Sequence, residues 1–185
     1  MISPISSVLW ICVLMSGALT VTAEPTRDAL LDQRFAELKQ AEDEVTARGI
    51  EQEIWKLWMI SGNPEIDGLM RQAMEARRWG DYAKALTLLD RVTGIDPTYA
   101  EAWNQRATLH FLRDDYEQAL ADVARTLQLE PRHFGALAGR GVIRLRQGRS
   151  ALAIQNIKAA MDYHPFLRER HLVPSRFLDQ PAESR

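Results

Sequence analysis

Pro97, Pro131 and Pro165 stand thirty-four residues apart, twice over. A fixed step of that length restricts the chain to a stack of like units, none of which can bury its apolar face alone. The same step relates Ala85, Ala119 and Ala153. It relates Leu89, Val123 and Ile157, the bulky Leu69, Trp103 and Leu137, and the small Ala73, Ala107 and Gly141. Tyr82 and Tyr116 follow the register, with Ser150 in the third copy. From Leu69 to Trp79, and in the equivalent stretches, apolar residues recur every three to four positions, which is a helical stripe. Gly80 and Gly148 suit the left-handed end of a first helix. Asp81 and Asp115 stand where an N-cap opens a second helix. Asp115 with Gln118, and Thr98 with Glu101, have capping-box spacing. The prolines close each unit, because proline cannot continue a preceding helix. The small column lets the two helices of a unit approach; a larger side chain there is expected to cost about 1–3 kcal/mol.

This pattern resembles the tetratricopeptide repeat. Trp103, Ala107, Tyr116, Ala119, Val123 and Pro131 occupy that family's bulky, small, aromatic, alanine, apolar and proline places. The resemblance covers Ile66 to Pro165, and Ala100 to His133 matches best. The text AEAWNQRATLHFLRDDY followed by LEPRHFGAL is similar to small exported repeat proteins of alphaproteobacteria. The chain departs from the pattern at Ala76, His110 and Arg144, where an aromatic is usual, and at Ser150. The resemblance implies an all-α, right-handed solenoid of stacked antiparallel helix pairs. It also implies a non-enzymatic adaptor or scaffold that binds a protein or peptide on its concave face. One variant of the family grips C-terminal carboxylates with paired lysines and asparagines; the matching columns here contain no lysine, so that clamp is not expected.

Around the repeats the chain divides as 1–23, a signal peptide; 24–63, a helical hairpin that is a degenerate repeat or cap; three repeats at 66–99, 100–133 and 134–167; and a tail, 168–185. The first twenty-three residues carry no Asp, Glu, Lys or Arg, and an apolar run from Val8 to Leu19 leads to Val21-Thr22-Ala23. That layout predicts export, with cleavage after Ala23 and a bacterial periplasmic destination. The stretch is also long enough to span a bilayer if it stays attached, and only then is a membrane contact expected. The single cysteine, Cys12, lies within it, so a cleaved chain has no disulfide and no thiol ligand. Leu30, Leu31, Phe35 and Leu38 form one apolar stripe of the hairpin, and Ile50, Ile54, Leu57 and Trp58 the other. Trp55 and Trp58 are expected in a core rather than on a ligand-stacking platform. The apolar tail around Phe166, Leu172 and Phe177 either folds back over the last helix, the expected arrangement, or docks on a partner.

Chemistry is sparse. A formal net charge of -2 gives no basic excess for nucleic acid. His110, His133, His164 and His171 form no metal-ligand spacing and are read as partly exposed surface residues. No nucleophile elbow or phosphate loop is present. No catalytic residue, metal, cofactor or small-molecule substrate is therefore expected. Arg140, Arg144, Arg146 and Arg149 are read as a solvated helix face, the alternative being a surface for an acidic partner or anionic lipid. The expected binding face comprises three columns of the first helices: Met70, Asn104 and Ala138; Met74, Thr108 and Val142; Arg77, Phe111 and Leu145. Within each helix these are four and then three residues apart and share one side. Asn104 is assigned to fix the backbone of a docked segment. The expected partner is a protein or peptide and the expected state a monomer. The alternative is a self-associating assembly factor or an accessory subunit of a cell-envelope enzyme complex.

Overall fold

The computed structural model describes residues 25–178; the signal segment and the last seven residues lie outside them. Eight α-helices are found among the described residues. They are α1 (Arg27–Lys39), α2 (Glu44–Trp58), α3 (Pro64–Arg78), α4 (Tyr82–Ile95), α5 (Ala100–Leu112), α6 (Tyr116–Leu129), α7 (Phe134–Arg146) and α8 (Ser150–Met161). Two 3-10 turns follow, Arg168–Leu172 and Ser175–Phe177. The pairs α3–α4, α5–α6 and α7–α8 are the three repeats, and α4 against α5 and α6 against α7 join them into one stack.

Local chemistry sets the helix ends. Asp81 and Asp115 accept the backbone N–H groups of Lys84 (3.0 Å) and Gln118 (3.3 Å), as N-caps do. Gly80 and Gly148 hold φ of 78° and 74°, and Asp114 fills the same place in the middle repeat with φ 59°. Asp is among the few L-residues that tolerate this region. The Thr98–Glu101 capping box does not form. Tyr99 is the N-cap of α5 and makes no side-chain cap, because the Thr98 hydroxyl turns to Asp96 (2.6 Å) and Glu101 turns inward to His133.

The small column is as tight as its composition predicts. Ala73, Ala85, Ala119 and Ala153 are fully buried, and a Cβ on Gly141 would lie 2.7 Å from Ile157 Cγ1. Between repeats, Leu109 and Ile143 are buried against the preceding unit. The residue thirty-four before Leu109 is Glu75, and the residue thirty-four before Arg106 is Gln72. The outer face of α3 is thus polar where another unit would have to stack.

This polarity decides where the N-terminal hairpin goes. Leu31, Phe35 and Leu38 of α1 and Ala47, Ile54 and Trp58 of α2 need a covered surface, and α3 offers none. They pack instead with Phe134, Leu137 and Ala138 of α7, Ile157 and Ala160 of α8, and Leu167 and Val173 of the tail. The hairpin therefore lies across the inner side of the stack and against its far end, rather than as an additional unit before the first repeat. The tail folds back onto the same cluster, with Phe166, Leu172, Phe177 and Leu178 against it.

Candidate functional site on the concave face

The three first helices, α3, α5 and α7, line the inner face, and α2 crosses their N-terminal ends. Trp58 stacks flat on His133, with centroids 4.0 Å apart and planes at 8°. Trp55 lies edge-on to Trp58, His133 and Phe134. Gly135 makes room for it, since a Cβ there would meet Trp55 Cη2 at 2.7 Å. Trp58 is a core residue, and Trp55 packs half-buried against the same cluster, where their helical stripe places them. The Tyr99 hydroxyl donates to the Trp58 carbonyl (2.9 Å), pinning the end of α2 to the start of α5. Burial foremost pushes the Tyr99 pKa up, so it stays a donor.

A buried polar network underlies this seam. His133 Nδ1 accepts the Ala136 N–H (3.1 Å) and so caps α7; its proton therefore sits on Nε2, which donates to Glu101 Oε2 (2.9 Å). Glu101 also accepts from the amides of Asn104 and Gln105. His164, at the end of α8, meets Glu51 of α2 at 3.4 Å. His133 and His164 are 0% and 2% exposed, which corrects the expectation of surface histidines. Each joins the hairpin to the repeats, a role that needs burial. Arg132 bridges Glu130 (2.9 Å) and Asp32 of α1 while lying 4.6 Å over the Phe35 ring. Its pKa is raised, chiefly by the hydrogen bond to Glu130.

The candidate residues fall into two groups. Met70 and Asn104 are 1% and 6% exposed, and Ala138 is buried as well. The Asn104 amide, expected to hold a docked backbone, is engaged by Glu101 instead. This row is closed: Met70 packs in the α3–α4 cluster, Ala138 packs against the hairpin, and Asn104 is held in the Glu101 network. Met74, Arg77, Thr108, Phe111, Val142 and Leu145 stay half-buried, in two rows beside the hairpin. Arg77 donates to Gln105 Oε1 (2.6 Å) across the α3–α5 boundary, and Phe111 packs on Tyr116 with centroids 6.0 Å apart. Leu112, next to Phe111, is 44% exposed and extends the apolar strip.

A cavity of about 460 Å³ opens at the other end of the hairpin, between Arg27, Leu31, Trp58, Tyr99, Glu101 and Arg132. Its charged walls have partners: Glu101 meets His133, Arg132 meets Glu130, and Arg27 meets Asp28 and the Ile60 carbonyl. Among the described residues, no group of three or more His, Cys, Asp or Glu is placed to hold a metal ion.

Sequence reasoning missed one polar bridge. Arg106 binds Asp122 through two nitrogens, at 2.8 and 2.7 Å, and reaches Asp90 (2.8 Å) and Thr93 (3.2 Å) of the preceding repeat. Arg140, assigned to the solvated arginine face, is its counterpart in the third repeat and hydrogen-bonds Asn156. Columns of charge at the same thirty-four-residue step were the signal.

These features define a helical-repeat protein whose inner face is half closed by its own N-terminal hairpin. Comparison with known proteins gives the family. The chain is 38% identical over 135 residues to a TPR repeat-containing protein of Rhizobium etli, covering 73% of this chain and 66% of that protein, just under two thirds of its length. It is 25% identical over 85 residues to anaphase-promoting complex subunit 3 of Schizosaccharomyces pombe, 13% of whose length is matched. Among solved structures, the second TPR of Spaghetti (RPAP3) bound to the HSP90 peptide SRMEEVD superposes with a TM-score of 0.52 at 21% identity, over 55% of this chain and 94% of that one. MamA superposes with a TM-score of 0.51 at 14% identity, over 75% and 78%. No family model matches the chain. The chain is a tetratricopeptide repeat protein.

Proposed function

We propose that the protein is a non-enzymatic adaptor or scaffold that holds a segment of a partner protein on the open half of its concave face. One observation carries the reading. Met74, Arg77, Thr108, Phe111, Val142 and Leu145 form two partly exposed rows across three consecutive first helices, and the hairpin that fills the rest of the face stops short of them. Solenoid faces of this shape suit peptide segments. Related folds with bound HSP90 and HSP70 peptides add support by analogy.

Phe111 is the central aromatic, the type of residue that dominates interfaces. Phe111→Asp is expected to abolish partner capture from the producing cell while circular dichroism keeps its helical signal. Leu145→Asp, in the same row on α7, serves as the second probe should Phe111→Asp unfold the chain. Capture that survives in both folded variants places binding elsewhere.

Export belongs to the same proposal, supported by the uncharged apolar run that ends at Ala23. The expected product begins at Glu24 in the bacterial periplasm. An intact mass that still includes Met1 to Ala23 indicates an anchored protein instead.

A further inference from the structure

We infer that the open strip takes an acidic segment, extended and apolar at its centre with Asp or Glu on both sides; this rests on the concave-face reading above. The strip is apolar in the middle, with Phe111 and Leu112 of α5 and Val142 and Leu145 of α7. Both ends are cationic. The last turn of α3 contributes Arg77 and Arg78 and that of α7 contributes Arg146. These two sites are related by the repeat, since Arg146 stands sixty-eight residues, two steps, after Arg78.

The state of these charges points outward. Arg77 donates to the neutral amide oxygen of Gln105 and Arg78 lies 5.7 Å over the Trp79 ring; among the described residues neither is within ion-pair distance of a carboxylate, nor is Arg146. The acids nearest the strip are already engaged. Asp81 and Asp115 cap α4 and α6, and Asp114 accepts the Tyr116 hydroxyl at 2.7 Å. The first helices add little. Helix α7 contains no acid, Glu101 is sealed beneath the hairpin, Glu75 lies on the outer face of α3, and Asp67 accepts the Ser61 hydroxyl at 2.7 Å. A helix dipole favours cations anywhere around a last turn. It does not explain why they bracket the partly exposed apolar strip of the inner face.

Width sets the segment. The floor row is closed, so the occupant lies across the C-terminal halves of α3, α5 and α7. Two interhelical steps of 8–10 Å make roughly 20 Å, the length of about six extended residues.

The test is selection from a display library of random short peptides on the full chain, its variants and phosphatidylglycerol vesicles as a separate arm. The wild-type chain is expected to enrich peptides with apolar centres and acidic flanks. The Arg77→Glu, Arg146→Glu double variant is expected to turn that preference to basic flanks and to weaken the best acidic peptide at least about tenfold, because opposed like charges suppress association. A structural role for the arginines cannot invert a charge preference. Wild-type selection without acidic excess, or a charge-reversed variant with unchanged preference, overturns the inference and leaves the concave-face reading standing if Phe111→Asp still removes binding. Peptides that bind Phe111→Asp equally well, or no enrichment at all, overturn both. Arginine-dependent binding to the vesicles without acidic bias among peptides overturns it in favour of a membrane surface.

Discussion

Arg106 joins two repeats through one guanidinium. It binds Asp122 of its own repeat and Asp90 and Thr93 of the preceding one, and lies 4.5 Å over the Trp103 ring. Asp122 is buried, and the hydrogen bond to it is the main reason the Arg106 pKa is raised. Arg106→Ala leaves that carboxylate with only His110, 3.8 Å away, so a loss of about 3 kcal/mol is expected. Urea denaturation reads it; a midpoint within error of wild type means that water replaces the guanidinium. The bridge is legible in the sequence, because Arg106 and Arg140, like Asp122 and Asn156, keep the step of the apolar columns. The burial of His133 and His164 is not legible, since their partners Trp58 and Glu51 come from a hairpin outside the repeat register. That second pair has a pH signature. The hydrogen bond from His164 holds the Glu51 carboxyl below its ordinary value of 4.5. A carboxylate depressed in the folded state stabilises fully above its unfolded pKa and loses that contribution as pH falls through the folded one. Thermal melts of Glu51→Gln below about pH 4.5 should therefore decline less with acid than those of the wild type. Parallel profiles for the two proteins contradict the coupling.

Helix α2 packs against elements far from it in sequence, and Trp58 is its anchor. Its indole covers His133 and lies against Phe134 and Phe35, while its backbone carbonyl accepts from the Tyr99 hydroxyl. Trp58→Ala is expected to cost about 3–5 kcal/mol, the range for removing a large buried aromatic. Hydrogen exchange adds the distribution. Protection should fall in α1, α2 and the tail, which share the cluster with α7 and α8, and persist in α3 and α4, whose cluster is separate. Uniform loss along the chain means a single cooperative unit. The hairpin's helices and stripes can be read from periodicity, because each needs only its own residues. Its seat cannot, because Phe134, Ala138 and Gly135 carry no mark distinguishing a covered inner face from an open one. The binding rows show the same division. Spacing alone puts Met70 and Met74 on one face, but Met70 is buried in the α3–α4 cluster and Met74 stays half open.

At the scale of the whole molecule, both ends of the stack are closed, by different means. The C-terminal end is covered by the tail, whose Leu167 and Val173 are buried against the α8 and hairpin cluster. Among the described residues the N-terminal end is closed by polarity alone: Gln72 and Glu75 of α3 stand where the later repeats present Arg106 with Leu109 and Arg140 with Ile143. Leu109 and Ile143 stack one repeat on another, and a carboxylate in that column would have to be desolvated without a partner. The end therefore rejects a further repeat from another chain as it rejects the chain's own hairpin, and a monomer is expected. One exposed aromatic remains on this face, Trp79, 74% exposed beside Ala76. Substituting Glu75→Leu removes the charge and restores the stacking column, setting the new leucine beside the exposed Trp79 as an apolar patch. Patches of that kind associate. Sedimentation at several concentrations should show the wild-type chain at constant mass and the variant shifting to dimers or larger species. A wild-type mass that rises with concentration contradicts the closed end. A variant that stays monomeric shows that the lone carboxylate is not what keeps this end bare, and that Gln72 and the turn before α3 block stacking by shape.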